Sequence, residues 1–324
     1  MEKRQLGANG PLVSALGLGC MGMSMGYGTR DDAQSILTLE KSIELGITFF
    51  DTADMYGWGH NEQLIGPILK KVRDKIILAT KMGFKKNGDG FVLDGSPSYI
   101  KEACEKSLRN LKIDVIDLYY LHRVSPHTPI EVSIEALAEL VKEGKIRYIG
   151  ISEVKPETIR RAAKIHPICA VQTEYSLWQR DPEKEILSTC RELGIGFVAY
   201  CPLGRGFLTG TIEQDNSYVE SDFRNFLPRF QGENFQENKK VLSKFKEFSE
   251  FKGVSPSQLA LAWLLAQGKD IVPIPGTKNI AYLEDNIKAL HISLSKDDIE
   301  TLNTIFVMGC AKGEKYPHPH ELES

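Results

Sequence analysis

No stretch of this sequence is long and apolar enough to cross a bilayer. The longest apolar run, LALAWLLA at 259–266, falls far short of the roughly 20 residues that a membrane helix needs. Neither sign of charge dominates. Forty Lys and Arg stand against 43 Asp and Glu, a net charge of −3, and no basic run carries interleaved aromatics, so neither nucleic acid nor an anionic membrane is an expected partner. Paired cysteines are missing as well. Cys20, Cys104, Cys169, Cys190, Cys201 and Cys310 form no C-x-x-C motif and no zinc-ligand spacing, so no metal is expected and the thiols read as reduced. The opening MEKRQLGANG lacks the apolar core of a secretion signal, which makes the cytoplasm the expected compartment. His318 and His320, set between prolines in PHPH, read as an exposed tail. No short-period repeat is present, which excludes a solenoid, and no linker divides the chain, so residues 1–324 are expected to form one domain.

What the sequence does contain is alternation. Short apolar runs rich in Ile, Val, Phe and Tyr occur at 15–19, 47–52, 75–81, 115–122, 146–152, 170–175, 195–202 and 271–277, the pattern of buried parallel strands. Helix patterns lie between them at 31–46, 98–111 (with Ser98 as N-cap), 129–143, 155–164, 181–193 and 258–267, followed by a further one at 295–306. Eight strands alternating with helices over 324 residues predict an α/β fold of the closed (β/α)8 TIM-barrel type, about 250 residues plus insertions. The insertions are an N-terminal hairpin at 4–13, turning at Asn9-Gly10 and positioned to plug the barrel bottom, and an extended loop after strand seven at 204–235. Gly17, Gly19 and Gly22 mimic a G-x-G-x-x-G fingerprint, but the Gly-rich stretch 24–29 follows where a dinucleotide fold needs a helix.

The strand ends carry the chemistry. Strand two ends in Asp51, three in Lys81, four in His122, five in Ser152 and seven in Tyr200, and strand six passes through Gln172. In a barrel these ends converge on one mouth, where active sites sit. Tyr56 lies on the loop just past Asp51. A phenol is a poor proton donor at neutral pH, but a nearby ammonium stabilises its phenolate. Lys81 can supply that charge, Asp51 can hold Lys81, and His122 can orient the reacting oxygen. The set has no reductant, so a cofactor must bring one. Lys81 as a Schiff-base nucleophile is the competing chemistry, opposed by Asp51 keeping it charged. Met23, Met25, Trp58 and Trp178 are expected to rim the mouth and to favour an apolar or aromatic aldehyde. Arg123 and Arg205 are candidates for an anionic group, read as solvent-exposed, and Trp263 is read as core.

These blocks resemble the aldo-keto reductase superfamily. DTADMYG (51–57) with NE (61–62), LATKMG (78–83), DLYYLHR (117–123), YIGISE (148–153), VQTEYSLW (171–178), YCPLGRGFLTG (200–210) and IPGTKN with LEDN (274–286) follow in order over nearly the whole chain. They are most similar to the long-chain branch of bacterial, yeast and plant aldehyde reductases, which includes the potassium-channel β subunits. The resemblance implies an NADP-dependent enzyme reducing carbonyl compounds by direct hydride transfer from NADPH. Asp51, Tyr56, Lys81 and His122 would be catalytic, with Tyr56 as general acid. It also implies Ser152 and Gln172 at the nicotinamide carboxamide, with Asp51 beside them, and Tyr200 stacked on the ring. Cys201, Pro202, Leu203, Gly204, Arg205 and Gly206 would lie along the pyrophosphate. Gly276, Thr277 and Lys278 would meet the 2′-phosphate, and Asp285 and Asn286 the adenine. The loop holding Gly22 and Met23 would border cofactor and substrate. Cys201 replaces a usual serine, Asn279 a frequent Arg, Tyr282 a basic or amide residue and Glu153 an Asn of some relatives, which bears on NADP over NAD preference and on the carboxamide contact. A cofactor-binding regulator of the channel β-subunit type is the alternative function, and self-association into a homo-oligomer stays open.

Overall fold

A computed structural model describes residues 1–88, 90–212 and 218–317; His318 and His320 lie outside them. β1 (Lys3–Gln5) and β2 (Leu12–Ser14) pair antiparallel. β3 (Leu18–Gly19), β4 (Phe49–Asp51) and β5 (Ile77–Met82) begin a parallel sheet. β6 (Phe84–Asn87) and β7 (Gly90–Leu93) make a second hairpin outside it. β8 (Ile116–Leu121), β9 (Ile146–Ser152), β10 (Ile168–Glu174), β11 (Gly196–Tyr200) and β12 (Ile271–Pro273) complete the parallel sheet of eight in sequential order. The sheet closes where its first and last members meet. Gly19 bridges Gly276 in parallel, and the amides of Gly17 and Gly19 donate to Pro273 O (2.9 Å) and Pro275 O (3.3 Å). Both seam glycines are required by space: a Cβ on Gly19 would sit 2.9 Å from Ile274 O, and one on Gly276 3.0 Å from Gly19 O. The would-be dinucleotide fingerprint is thus part of the barrel seam, and a short 3-10 turn at Met21–Met23 follows it in place of a helix.

The helices pack outside the sheet. α1 (Asp32–Glu44), α2 (His60–Leu69), α3 (Pro97–Leu111), α4 (Ile130–Lys142), α5 (Pro156–Ile165) and α6 (Ile186–Glu192) each follow a strand. α7 (Gly232–Phe251), α8 (Pro256–Ala266), α9 (Ile280–Lys288) and α10 (Lys296–Ile305) close the chain. α3 starts one step earlier than its sequence pattern suggests, because Ser96 rather than Ser98 caps it, accepting from the Tyr99 amide with Pro97 in the first turn. The expected extended loop after strand seven is real in outline: 3-10 turns at Gly204–Thr209, Phe223–Phe226 and Pro228–Phe230 precede α7. It crosses to the loop after β3, where Asp222 accepts from the Gly28 amide at 2.8 Å and the Phe223 amide donates to Gly26 O at 2.9 Å. Trp263 is fully buried, as its helix pattern requires.

The N-terminal hairpin turns more widely than Asn9-Gly10 alone would allow. Leu6 N bonds Pro11 O, and the left-handed residue is Gly7, whose missing Cβ lets it lie against Cys169 O and Gly196 N. Those atoms mark the N-terminal ends of β10 and β11, so the hairpin caps the barrel bottom. Leu6 and Val13 join Phe49, Ala79, Leu118, Tyr120, Ala170, Val198 and Val272 in the interior cluster. Arg4, buried beneath it, donates to Ile271 O (2.6 Å), Gly268 O (2.8 Å) and Leu265 O (3.0 Å), locking the hairpin to the last barrel unit. Replacing Arg4 with Met should strand three carbonyls and cost about 2–4 kcal/mol. An unchanged thermal midpoint in that variant would show that the plug contributes nothing to stability.

Candidate active site

Pleat alternation decides which strand residues face the barrel axis. Phe49, Ala79, Tyr120, Ala170 and Val198 point into the interior cluster, and a Cβ on Gly150 would strike the Tyr120 ring at 2.4 Å. Two residues beyond each, on the same face and at the C-terminal end, come Asp51, Lys81, His122, Gln172, Tyr200 and Ser152. The structure therefore gathers all six at one mouth, and register puts Ser152 directly beside Gln172.

At the centre lies the Lys81 ammonium, with no solvent exposure. It donates to Asp51 Oδ1, to Thr52 O at 2.9 Å and to Tyr56 OH at 3.2 Å. Burial opposes its charge, yet Asp51 and Tyr56 outweigh that, and its pKa is raised above the ordinary lysine value. A lysine so held stays protonated, which disfavours Schiff-base chemistry. Gln172 Nε2 donates to Asp51 Oδ2 at 2.7 Å, so both carboxylate oxygens are committed. Burial pushes the Asp51 pKa up while Lys81 and Gln172 pull it back. Tyr56 follows a different balance from the one its neighbours alone suggest. Lys81 lowers its pKa, but burial acts the other way and is larger, so the phenol is raised above 10.0. His122 meets Tyr56 edge-on with ring centroids 5.9 Å apart, and Phe84 at 4.9 Å. Burial, with Lys81 and Arg123 adding to it, holds the imidazole well below its usual pKa and hence neutral, and its Nδ1 has no partner. Among the described residues no cluster of His, Cys, Asp or Glu could hold a metal ion, and no helix is long and apolar enough to cross a membrane.

The residues expected along a cofactor lie at the ends of β9, β10 and β11, in the loops after β3, β11 and β12 and on α9, several already engaged. Ser152 Oγ accepts from Arg123 Nη1 at 3.3 Å. Tyr200 OH is 2.8 Å from Tyr316 OH, and Lys315 Nζ stands 5.5 Å from its ring centroid. Gly204 and Gly206 spend their amides on Cys201 O and Leu203 O within the loop after β11, where Cys201 and Arg205 both adopt left-handed backbone. Arg205, far from solvent-exposed, donates to Glu174 Oε2 (2.9 Å), Tyr316 OH (3.0 Å) and Tyr27 OH (3.3 Å). Lys278 is no free surface lysine either. It reaches across the seam to Thr29 O (2.6 Å), Tyr27 O (2.8 Å) and Gly22 O (3.3 Å), beside the fully packed Met23. Asn279 caps α9 through the Tyr282 amide, a structural reason for Asn in place of Arg. Thr277 Oγ1 accepts from Asn279 N. Asp285 accepts from Ser255 and Gln258 at the start of α8, and Asn286 is buried next to it. Trp178 does not rim the mouth: it is buried and stacked on Phe207, 4.0 Å between centroids. Met23 is also core, which leaves Met25 (36% exposed) and Trp58 (38%) at the rim.

Several site residues escaped sequence reasoning. Lys315 and Tyr316 come from a segment that reads as irregular tail, yet Lys315 Nζ binds Glu153 at 2.8 and 2.9 Å and approaches Glu174 at 3.8 Å. Glu153 holds left-handed backbone and also accepts from the Glu174 amide. Asn61 joins the first two loops, accepting from Thr52 Oγ1 (2.6 Å) and donating to Cys20 O and Ser24 Oγ (2.8 Å each). Asp54 is a buried carboxyl whose pKa desolvation and nearby Glu62 push well above the ordinary value. The sequence hints were Asp54 within DTADMYG, the NE pair after it, Glu153 at the end of YIGISE and an isolated Lys-Tyr before the prolines.

Comparison with known proteins agrees with this geometry. The sequence profile described as "Aldo/keto reductase family" matches residues 15–306. A protein named probable aldo-keto reductase 1 from Glycine max is 46% identical over 315 residues, covering 96% of this chain and 91% of its own. Among solved structures, a glycerol dehydrogenase from Gluconobacter oxydans superposes with a TM-score of 0.85 at 27% identity, over 98% of this chain and 97% of its own. The holo form of an aldo-keto reductase from Bacillus halodurans gives 0.78 at 32% identity, over 98% and 100%.

The tail anchor has a pH signature. Burial pushes the Glu153 carboxyl up, but Lys315, Arg123 and the Glu174 amide overcome it and bring the pKa down to about 2 from an ordinary 4.5. A depressed carboxylate stabilises the fold fully above its unfolded pKa and loses that contribution as pH falls toward its folded one. Glu153→Gln should therefore be less stable than the parent near neutrality, with the gap between their urea midpoints narrowing from about pH 5 to pH 2–3. A gap that stays constant over that range would mean that Glu153 is not the titrating anchor.

Proposed function

Because the chain belongs to the aldo/keto reductase family, we propose that it is an NADPH-dependent reductase that converts aldehydes and ketones to alcohols, with Tyr56 as the proton donor. The observation that carries this is a phenol 3.2 Å from a fully buried ammonium. Burial keeps Tyr56 in its donor form over the working pH range. When its proton leaves, the phenolate is born beside Lys81, whose charge Asp51 and Gln172 hold in place. That charge acts in a water-poor site, where fixed electrostatics are strongest. His122, neutral and with an uncommitted ring nitrogen, can hydrogen-bond the substrate oxygen without competing as a cation.

The chain's residues fit a nicotinamide dinucleotide. Lys315 lies near one face of the Tyr200 ring, and an aromatic ring has a second. Lys278 is held by carbonyls, with no carboxylate in ion-pair range among the described residues, so a phosphate dianion would meet a cation that no ion pair has claimed. This supports NADPH over NADH. Ser152, Gln172 and Tyr200 would hold the nicotinamide end, residues 201–206 the pyrophosphate, Gly276, Thr277 and Lys278 the 2′-phosphate, and Asp285 and Asn286 the adenine, with Gly22 and Met23 alongside. When bound, the reduced nicotinamide supplies the hydride. Met25 and Trp58 at the rim favour an apolar or aromatic aldehyde.

Fluorescence titration should show tighter binding of NADPH than of NADH, and NADPH should be oxidised in the presence of an aldehyde panel. Tyr56→Phe should lower kcat by about 10²–10⁴-fold while leaving NADPH affinity within about a factor of three. Normal turnover in that variant would remove Tyr56 from the mechanism. NADPH binding with no turnover of any aldehyde by the parent protein would favour the regulatory alternative.

A further inference from the structure

The buried cations at the mouth are not equally paired. Glu153 is paired with Lys315 at 2.8 Å, and Glu174 with Arg205 at 2.9 Å. Asp51 answers Lys81. Three of the four buried cations are thus paired with a carboxylate, and the fourth is not. Arg123, the residue after His122, is only 8% exposed, and no carboxylate comes within ion-pair range of it among the described residues. Its Nη1 is given to the His122 carbonyl at 2.7 Å and to Ser152 Oγ at 3.3 Å, and its Nε has no acceptor. Phe84 lies 6.0 Å from the guanidinium carbon. The groups that bear on its charge are Tyr200, Tyr316, Glu153 and Tyr56, all at the mouth.

A guanidinium removed from water is costly unless an anion answers it. Glu153 bears on its charge from beyond ion-pair range, but Lys315 already holds both of its oxygens. The cofactor pyrophosphate is a poor candidate, since its expected cradle at 202–206 follows β11 whereas Arg123 follows β8, next to the imidazole that would face the reacting oxygen. What remains is the substrate. Resting on the reductase reading, we propose that Arg123 receives an anionic group of the carbonyl substrate, so that preferred substrates are apolar or aromatic aldehydes carrying one carboxylate close to the carbonyl. The planar fork of the guanidinium suits a carboxylate better than a point charge would.

The test compares 3-carboxybenzaldehyde with its methyl ester at saturating NADPH. The parent enzyme should favour the acid in kcat/KM by about tenfold or more. Arg123→Met should bring the ratio near one, and Arg123→Lys should recover part of it. A ratio taken within one variant cancels losses of folded protein or of bound cofactor. No preference in the parent, or a preference that Arg123→Met leaves intact, overturns the proposal. Benzoate titration, which needs no turnover, separates the two readings. If no aldehyde is reduced but benzoate binds about tenfold more weakly to Arg123→Met, the reductase reading falls and the anion site stands. If aldehydes are reduced while benzoate binding ignores the substitution, the anion site falls and the reductase reading stands.

Discussion

An ammonium sealed from water dictates the rest of this mouth. Lys81 must find acceptors inside the protein, and it finds a carboxylate, a backbone carbonyl and a phenol. Removing one partner of such a buried pair costs about 3–5 kcal/mol, because the other is left charged and unanswered. The requirement spreads outward. Asp51 fixes Gln172 on β10, four positions along the sheet order from β4. Thr52, whose carbonyl serves Lys81, gives its hydroxyl to Asn61, which in turn pins the loop after β3. One charge thus orients side chains from strands and loops far apart in sequence. Tyr56 takes its position from that network.

Much of this was legible in the residues themselves. All eight apolar runs became parallel strands, and the period of two that fills the barrel also carried Asp51, Lys81, His122, Ser152, Gln172 and Tyr200 to its rim. A strand's two faces are written locally, so the sequence could be read there. α2 was obscured by Gly66 and Pro67 inside it, and β6–β7 by their position as an excursion from the barrel period. Burial of long polar side chains was not readable. Arg123 and Arg205 look like surface arginines until the tail folds over one and Phe84 packs against the other. Trp178 looks like a rim residue until Phe207, nearly thirty positions on, stacks upon it. Such contacts depend on which distant segment covers a residue, and no local pattern encodes that.

Backbone strain follows the same geography. Of the non-glycine residues with left-handed backbone among those described, Lys112 ends a helix, while Trp58, Glu153, Cys201 and Arg205 all stand in loops at the strand ends. Each such conformation costs on the order of 1 kcal/mol and persists only where surroundings over-determine it. Glu153 is held by its ion pair with Lys315 of the tail, and Arg205 by its ion pair with Glu174 and its hydrogen bond to Tyr316 of the tail. The same contacts that neutralise the mouth also keep its loops in conformations they would not choose alone.

The seam between Gly19 and Gly276 gives the molecule a particular kind of indivisibility. The first and last strands of the parallel sheet meet, Lys278 grips carbonyls laid down some 250 positions before it, and Lys315 neutralises a glutamate from the middle of the chain. No contiguous fragment owns the mouth. Exchanging one stretch for a relative's would therefore alter partners far away in the sequence.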